Sequence, residues 1–296
     1  MRADFKIVVG IATAGRREQM PRTLAQLAML SRQPDRVIVC PATPQDFDQS
    51  ILPPLPFDVE VVCGPKGLTR QRNVILDACR DEDIILFIDD DFYPASDYLS
   101  QIDKLFAAHA DVVVATNQPV ADGATGPGYS HDQALQILAD SHPVSDGFSS
   151  DTYGGYGCNM SFRLSVVRQH ALRFDENLPL YGWLEDIDFS RRVAPYGRIV
   201  NYSGLRGVHL ATKAGRTSGL KLGYSQIVNP YYMIRKGSLS FSYGFKHMFK
   251  NMAKNLLRSL WQEPWVDRRG RLKGNLFGLI DIAKGRAHPL QAQNLS

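Results

Sequence analysis

Apolar residues in the N-terminal part of the chain come in short, β-branched runs separated by polar turns and by stretches of helical spacing. Residues 5–11 (FKIVVGI), 36–40 (RVIVC), 59–63 (VEVVC), 83–89 (DIILFID) and 111–115 (DVVVA) have the length and near-continuous hydrophobicity of strands buried on both faces. Between them, residues 21–30 carry Leu24, Leu27 and Ala28 at helical spacing, residues 68–79 set Val74, Ile75 and Cys79 on one side, and 97–108 predicts a third helix. Strands alternating with helices in this way predict an α/β fold, a parallel sheet with helices on both faces.

The pattern changes after Asn117. Residues 118–157 are rich in Gly, Ser, Asp and Pro, with one helix predicted around 132–139. Strands are expected at 159–163 and 198–202, flanking a helix over Glu185–Val193, and residues 205–224 read as a mobile loop of Gly, Lys, Arg and Ser. Helical spacing returns at the C-terminus. Phe245, Met248, Phe249, Met252, Leu256 and Leu260 form one apolar stripe, while Lys246, Lys250, Lys254 and Arg258 follow another line at i, i+4. A second stretch, 272–283, carries Leu276, Leu279 and Ile280 and can extend the same surface.

At 296 residues the chain suits one large α/β domain, or one with an appendage, and 44% hydrophobic with 22% charged residues excludes a disordered or fibrous chain. The net charge of +4 is too mild to indicate nucleic acid, and no nucleic-acid partner is expected. The basic excess is local: residues 244–286 hold ten Lys/Arg against three Asp/Glu, which leaves the remainder net acidic and points to a local partner. Cys40, Cys63, Cys79 and Cys158 are far apart with no CxxC pair, so neither a zinc site nor a disulfide framework is expected. The start of the chain does not read as a signal peptide, and no run approaches the roughly 18 apolar residues of a membrane span. The expectation is a cytoplasmic protein, peripheral on the inner face of the membrane if the basic tail binds there.

Three constellations carry chemistry. Asp89, Asp90 and Asp91 stand where the most hydrophobic strand ends, the edge at which parallel sheets bind ligands. Three adjacent acids repel one another, and a hard divalent ion such as Mg2+ or Mn2+ bound with substrate phosphates resolves that repulsion. An exposed acidic turn or a helix cap is the alternative. WLEDID (residues 183–188) places Glu185 and Asp186 at a helix start, where the dipole favours acids and where one carboxylate can serve as a general base. In GLTRQRN (residues 67–73), Arg70 and Arg72 cannot share one helix face; one can reach phosphates while the other faces water.

Taken together, these segments resemble the family 2 glycosyltransferases, inverting enzymes with the GT-A fold. The likeness runs from about Lys6 to Val208, roughly two thirds of the chain. It rests on the first strand with its Thr13/Arg16 loop, then GLTRQRN, LFIDDDFYP, GGYGCNMSFR and GWLEDIDFSRR, in that order. The resemblance implies a Rossmann-like, mostly parallel sheet. The GT-A domain would span 1–225, its nucleotide-sugar part about 1–117 and its acceptor part about 118–225, with a basic amphipathic helical appendage over 226–296. It implies a nucleoside-diphosphate sugar as donor, a UDP-sugar favoured, with Mg2+ or Mn2+ as cofactor and a glycan or lipid-linked acceptor in surface-polysaccharide assembly.

Carried over by residue, the DXD acids are Asp89, toward the donor's ribose, and Asp91, toward the metal, with Asp90 between them. Thr13, Arg16, Arg70 and Asn73 would lie along the nucleotide. Gly154, Gly155, Asn159 and Trp183 would lie beside donor sugar and acceptor. Asp186, paired with Glu185, would be the catalytic base. His209, in GVHL, falls where some members place a metal or phosphate ligand; a structural histidine is the alternative. One departure concerns the nucleobase: many relatives have an Asp after the second strand, where this chain has Cys40 and Pro41.

The tail reads as a helix suited to an anionic bilayer surface, or as a stripe packed on the protein's own body or on a second subunit. Two rival functions remain at this stage. A haloacid-dehalogenase-like phosphohydrolase also places a DxD after an apolar strand, though after its first one. A non-catalytic protein that binds sugar nucleotides at a membrane is the other.

Overall fold

The computed structural model describes residues 5–144, 147–215, 217–261 and 263–296. Residues 145–146 of the 118–157 stretch and residue 216 of the 205–224 stretch lie outside the described residues.

The strands are β1 (Ile7–Thr13), β2 (Arg36–Pro41), β3 (Val59–Val61), β4 (Ile84–Asp89), β5 (Phe92–Pro94), β6 (Val112–Thr116), β7 (Ala121–Asp122), β8 (Ser149–Asp151), β9 (Asn159–Arg163), β10 (Arg198–Tyr202) and β11 (Gly207–His209). The α-helices are α1 (Gln19–Ala28), α2 (Leu68–Ala78), α3 (Tyr98–Ala108), α4 (His131–Asp140), α5 (Leu164–Gln169), α6 (Glu185–Val193), α7 (Gly219–Lys236), α8 (Phe241–Arg258) and α9 (Arg268–Ala283).

Eight strands form the main sheet in the order β3-β2-β1-β4-β9-β6-β10-β8. The β1–β2, β1–β4, β2–β3 and β6–β10 pairs are parallel. Period-two alternation explains the two apolar layers. Ile7, Val9, Ile11, Leu86 and Ile88 face the core shared with α1 and α3, while Val8, Ile38, Ile85 and Phe87 face α2 and α6. Gly10 lets α2 approach closely: a Cβ there would sit 2.7 Å from Ile75 Cγ2.

The sheet is mostly parallel, as expected, and β9 is the strand within it that runs antiparallel to both neighbours, β4 and β6. The chain leaves β6 at the carboxyl edge of the sheet, builds β7 and α4 beyond it, adds β8 antiparallel to β10 as an edge strand, and re-enters beside the carboxyl edge, with Asn159 paired to Ile88. A strand entered from there must run the other way. The sheet is therefore mixed, with its parallel part around β1.

One expectation is corrected at 205–224. Instead of a loop throughout, it contains β11 and the start of α7, which continues unbroken across residue 225. β11 pairs antiparallel with β5 and parallel with β7, giving a small sheet in the order β5-β11-β7. Three residues carry too little hydrophobic period to be read in sequence; main-chain pairing defines the strand. Gly207 fits because a Cβ would meet the Phe92 ring at 2.2 Å.

The C-terminal helices form their own layer. α7 and α9 cross at glycines, where a Cβ on Gly223 would lie 2.0 Å from the Arg271 carbonyl oxygen and one on Gly274 2.1 Å from that of Leu220. α8 joins through a buried amide cluster in which Asn255 Nδ2 donates to Gln226 Oε1 and to Asn275 Oδ1, each at 2.9 Å.

Candidate active site

The three acids after β4 diverge, and each finds a different partner. Asp90 turns toward β1, accepting from Thr13 Oγ1 and from Arg16 Nη1, both at 2.6 Å. Asp91 is fully buried; its Oδ2 accepts from the Thr212 N–H at 2.7 Å and lies 3.1 Å from Arg16 Nη1. Asp89 lies 3.4 Å from Arg72 Nη2.

The small sheet supplies the fourth group. β11 places His209 opposite Phe92 on one side and Asp122 on the other. His209 Nε2 faces Asp89 Oδ2 at 3.8 Å and Asp91 Oδ1 at 3.5 Å, while its Nδ1 pairs with Asp122 Oδ1 at 2.9 Å. Asp122 also accepts from the Tyr156 hydroxyl. Ligand atoms of Asp89, Asp91 and His209 all lie within 4.8 Å of one another. Asp91 Oδ1 is buried without a hydrogen-bond partner. A two-carboxylate, one-imidazole set with an orphaned oxygen and a carboxylate behind the imidazole fits a hard or borderline divalent cation such as Mn2+.

The charges separate these acids. Burial raises Asp89 against Arg72 and His209, and raises Asp90 against Arg16. Burial also acts on Asp91, but His209, Arg16 and the Thr212 N–H outweigh it and hold the group well below the usual carboxylate range. On His209 the desolvation cost is outweighed by Asp122, Asp91 and Asp89, and its pKa is pushed up to about 10. A proton on the imidazole thus occupies the place of positive charge among these carboxylates.

The second wall is the start of α6. Leu184, in the left-handed region at φ 67°, turns the chain into the helix, so Glu185, Asp186 and Asp188 all fall in its first turn. Asp186 is oriented by backbone donors: the Gly157 N–H reaches Oδ2 at 2.9 Å and the Ile187 N–H reaches Oδ1 at 2.8 Å. Its pKa is raised because burial outweighs those donors. Glu185 takes Arg72 Nη1 at 2.5 Å through Oε1, and its Oε2 has no hydrogen-bond partner. Burial lifts Glu185 to about 8 despite Arg72.

Arg72 joins the two walls, holding Glu185, the Gly157 carbonyl at 2.8 Å and, at longer range, Asp89. Of the two arginines in GLTRQRN it is the buried one, 2% exposed and stacked near Phe87 and Phe174. Arg70 is half-exposed and only 3.7 Å from Glu176. The burial of Arg72 has a signal in the sequence: it shares the i, i+3, i+7 stripe of Ile75 and Cys79, a charge on an apolar face. Asp122 carried no such signal, being one acid in a stretch of Gly, Asp and Ser.

The other candidates surround this centre. Arg16 also donates to the carbonyls of Ala214 and Thr212 at 3.0 and 3.1 Å, tying the β1 loop to the segment after β11. Asn73 is buried and spends its amide on Phe174 and Glu176. Gly154 and Gly155 support α6: a Cβ on Gly154 would meet Ile187 at 2.8 Å, and the Gly155 N–H donates to Ser190 Oγ at 2.9 Å. Asn159 is buried, bonded to Tyr98, Thr116 and Asn117. Trp183 accepts from Asn229 through its carbonyl, and its indole N–H is buried without a partner. Pro41 continues the pairing of β2 with Thr13, and Gln71 donates to the Cys40 carbonyl at 2.7 Å.

A mixed α/β sheet with acids at its carboxyl edge and C-terminal helices is the GT-A class of fold. The model of glycosyl transferase family 2 matches residues 8–170, more than half of the chain, and the chain belongs to that family. Its fold is similar to the mannosyltransferase PcManGT from Pyrobaculum calidifontis in complex with GDP-Man and Mn2+, at 13% identity and a TM-score of 0.57 over 95% of this chain and 88% of that one. GalNAc-T7 with UDP, GalNAc and Mn2+ follows at 11% identity and a TM-score of 0.53, over 86% of this chain and 58% of that one. S. aureus TarS 1–349 in complex with UDP-GlcNAc gives 16% identity and a TM-score of 0.50 over 77% of this chain. The chain spans less than two thirds of the TarS chains, 66% of that one and 43% of the longer one. No curated protein matches the sequence. Among the described residues, no helix is long and apolar enough to cross a membrane.

Proposed function

We propose that this protein is a metal-dependent, inverting glycosyltransferase that moves a sugar from a nucleoside-diphosphate sugar to a hydroxyl of a glycan or lipid-linked acceptor. The observation that carries the reading is the pairing of two unlike acid clusters. Asp89, Asp91 and His209 are arranged to hold a cation, and Asp186, fixed by two backbone N–H groups, lies on the wall joined to them by Arg72. PcManGT was solved with GDP-Man and Mn2+ and GalNAc-T7 with UDP and Mn2+, which supports a nucleotide donor and a divalent cation, Mg2+ or Mn2+.

Residue roles follow from the chemistry. A divalent cation held by Asp89, Asp91 and His209 would offset the charge that grows on the departing diphosphate. Asp186 takes the proton of the acceptor hydroxyl as its oxygen attacks the anomeric carbon from the face opposite the leaving group, a single displacement with inversion. Its raised pKa improves its match to a proton acceptor near neutral pH. Arg72 and Glu185 position this wall, and Arg72 adds positive charge beside Asp89. Thr13, Arg16, Arg70 and Asn73 belong to the nucleotide side; Gly154, Gly155, Asn159 and Trp183 belong to the sugar and acceptor side. The division into a nucleotide-sugar part at 1–117, an acceptor part at 118–225 and an appendage at 226–296 is part of the same reading, as is a place in surface-polysaccharide assembly.

A thermal-shift panel of UDP-, GDP-, CDP- and dTDP-sugars with and without Mn2+ tests this reading. It requires stabilisation by one nucleotide class that depends on Mn2+ and is lost in Asp91→Ala. A UDP-sugar is favoured, and Cys40 and Pro41 in place of the usual acid make the panel the deciding test of the base. Silence across the panel would reject it.

A further inference from the structure

The C-terminal layer leaves an apolar surface uncovered. On α8, Phe241, Phe245, Phe249 and Leu256, with Leu260 and Trp261 just beyond the helix, are each more than half exposed. At 3.6 residues per turn the four helix positions fall within about 80° of one another. The face that packs inward is a different one, marked by the buried Gly244 and Asn255. Of the stripe seen in the sequence, Met248 and Met252 are half-buried, while Phe245, Phe249, Leu256 and Leu260 are left exposed. On α9, Leu276, Leu279 and Ile280 are likewise exposed on one side. The two stripes pass the Asn255–Asn275 hydrogen bond that joins the helices, with Leu256 and Leu276 next in sequence to its two ends.

The charge beside these stripes has one sign. On α8, Lys246 and Lys250 are exposed next to the stripe, with Lys254 half-buried and Arg258 exposed further round the helix; Lys273 on α9 and Lys284 at its C-terminal end are exposed. The three acids of this layer are already engaged: Glu263 by Arg258 and Arg268, Asp281 by Arg286, and Asp267 by the Gly270 N–H. Protruding Phe, Leu and Trp beside a net-positive flank complement the apolar and anionic layers of a membrane interface.

We propose that the α8–α9 face docks on an anionic lipid bilayer, with the aromatic and leucine side chains entering the interface and the lysines facing acidic headgroups. The beginning of α8 is tied to the candidate base. Tyr243 stacks on Tyr153 with ring centroids 4.1 Å apart, and Tyr153 is held by α6 through Arg191, whose guanidinium lies 4.7 Å over its ring. Resting on the reading of Asp186 as base, this geometry makes a lipid-linked hydroxyl presented at the bilayer surface the acceptor.

Flotation of the full chain with vesicles tests the docking alone. Wild type is expected to float with phosphatidylcholine vesicles containing 30% phosphatidylglycerol, and to bind at least about tenfold less to pure phosphatidylcholine or at 0.5 M NaCl. Phe245→Asp with Phe249→Asp, and separately Lys246→Glu with Lys250→Glu, should each weaken binding at least about tenfold while the melting temperature stays near that of wild type. Leu260→Asp with Trp261→Asp, at the far end of the stripe, gives the same readout should the phenylalanine pair disturb folding. Wild type left unfloated with anionic vesicles would overturn the proposal, as would binding indifferent to salt and to both pairs of changes. A dimer dissolved by Phe245→Asp with Phe249→Asp, without vesicle binding, would also overturn it and assign the face to a second copy. Flotation needs no nucleotide and the sugar-nucleotide panel needs no vesicle, so failure of one reading is distinguishable from failure of the other.

Discussion

The acids at the end of β4 and those at the start of α6 are similar in sequence, short runs rich in Asp and Glu beside apolar residues, yet their surroundings differ. Asp91 is held ionised by a cationic imidazole, a guanidinium and a backbone N–H. Asp186 receives two backbone N–H groups, and burial still raises it; Glu185 is raised further, against its own arginine. Clustered carboxylates thus acquire opposite tendencies from what faces them. Asp91 keeps its negative charge and is suited to a cation, while Asp186 and Glu185, like Asp89 and Asp90 beside Asp91, hold protons more firmly, and Asp186 is suited to accepting one.

Breaking either set should be costly, and in different ways. Asp186→Asn is expected to lower the release of nucleoside diphosphate in the presence of acceptor by about 10²–10⁴-fold, with Mn2+-dependent donor binding retained. Asp91→Ala should lose both. A binding defect in Asp186→Asn as large as that in Asp91→Ala would erase the distinction.

Arg72 sharpens the comparison because it touches both sets. Arg72→Met strands Glu185 in the interior and should cost about 3–5 kcal/mol in urea unfolding, much of it recovered when Glu185→Gln is added. A loss under about 1 kcal/mol would mean that the Arg72–Glu185 pair does not hold the walls together.

The pH dependence is smaller but has a definite sign. Glu185 is raised from 4.5 to about 8 and His209 from 6.5 to about 10, so the folded state binds more protons than the unfolded chain across that range. Stability of the metal-free protein should fall as pH rises from about 4.5 to about 10, the upper limb following His209. Melting curves in EDTA check this, and His209→Gln should flatten the part above pH 7. Mn2+ should act oppositely: it displaces the imidazole proton, so stabilisation by Mn2+ grows with pH. A flat profile would contradict the account of His209. Asp122→Asn, which loosens the imidazole from behind, should weaken Mn2+ binding about 10- to 100-fold.

Strands β1, β2 and β4 and the helices between them were legible because each strand is buried on both faces and reads as a nearly continuous apolar run; β3, a half-exposed edge strand with Glu60 at its centre, was legible by its valines. The acids were legible for the same reason, standing at the end of the strongest run. Antiparallel β9 was not, since strand direction depends on the path of residues 117–158, which have little hydrophobic period. β11 was hidden in a Gly- and Lys-rich stretch whose pairing with Phe92 and Asp122 is entirely long-range. That pairing brings His209 to the carboxylates, so the resemblance singled out the residue while sequence pattern gave no means of placing it. Arg72 was visible as a charge on an apolar stripe; only its contact with Glu185, 113 positions away, reveals the reason for it.

Calorimetric titration of Mn2+ together with the nucleoside diphosphate identified on the panel, into wild type, Asp91→Ala and Asp186→Asn, tests the division of labour most directly. The account predicts Mn2+-dependent nucleotide binding in wild type and in Asp186→Asn, and none in Asp91→Ala. Equal, metal-independent binding in all three would contradict it.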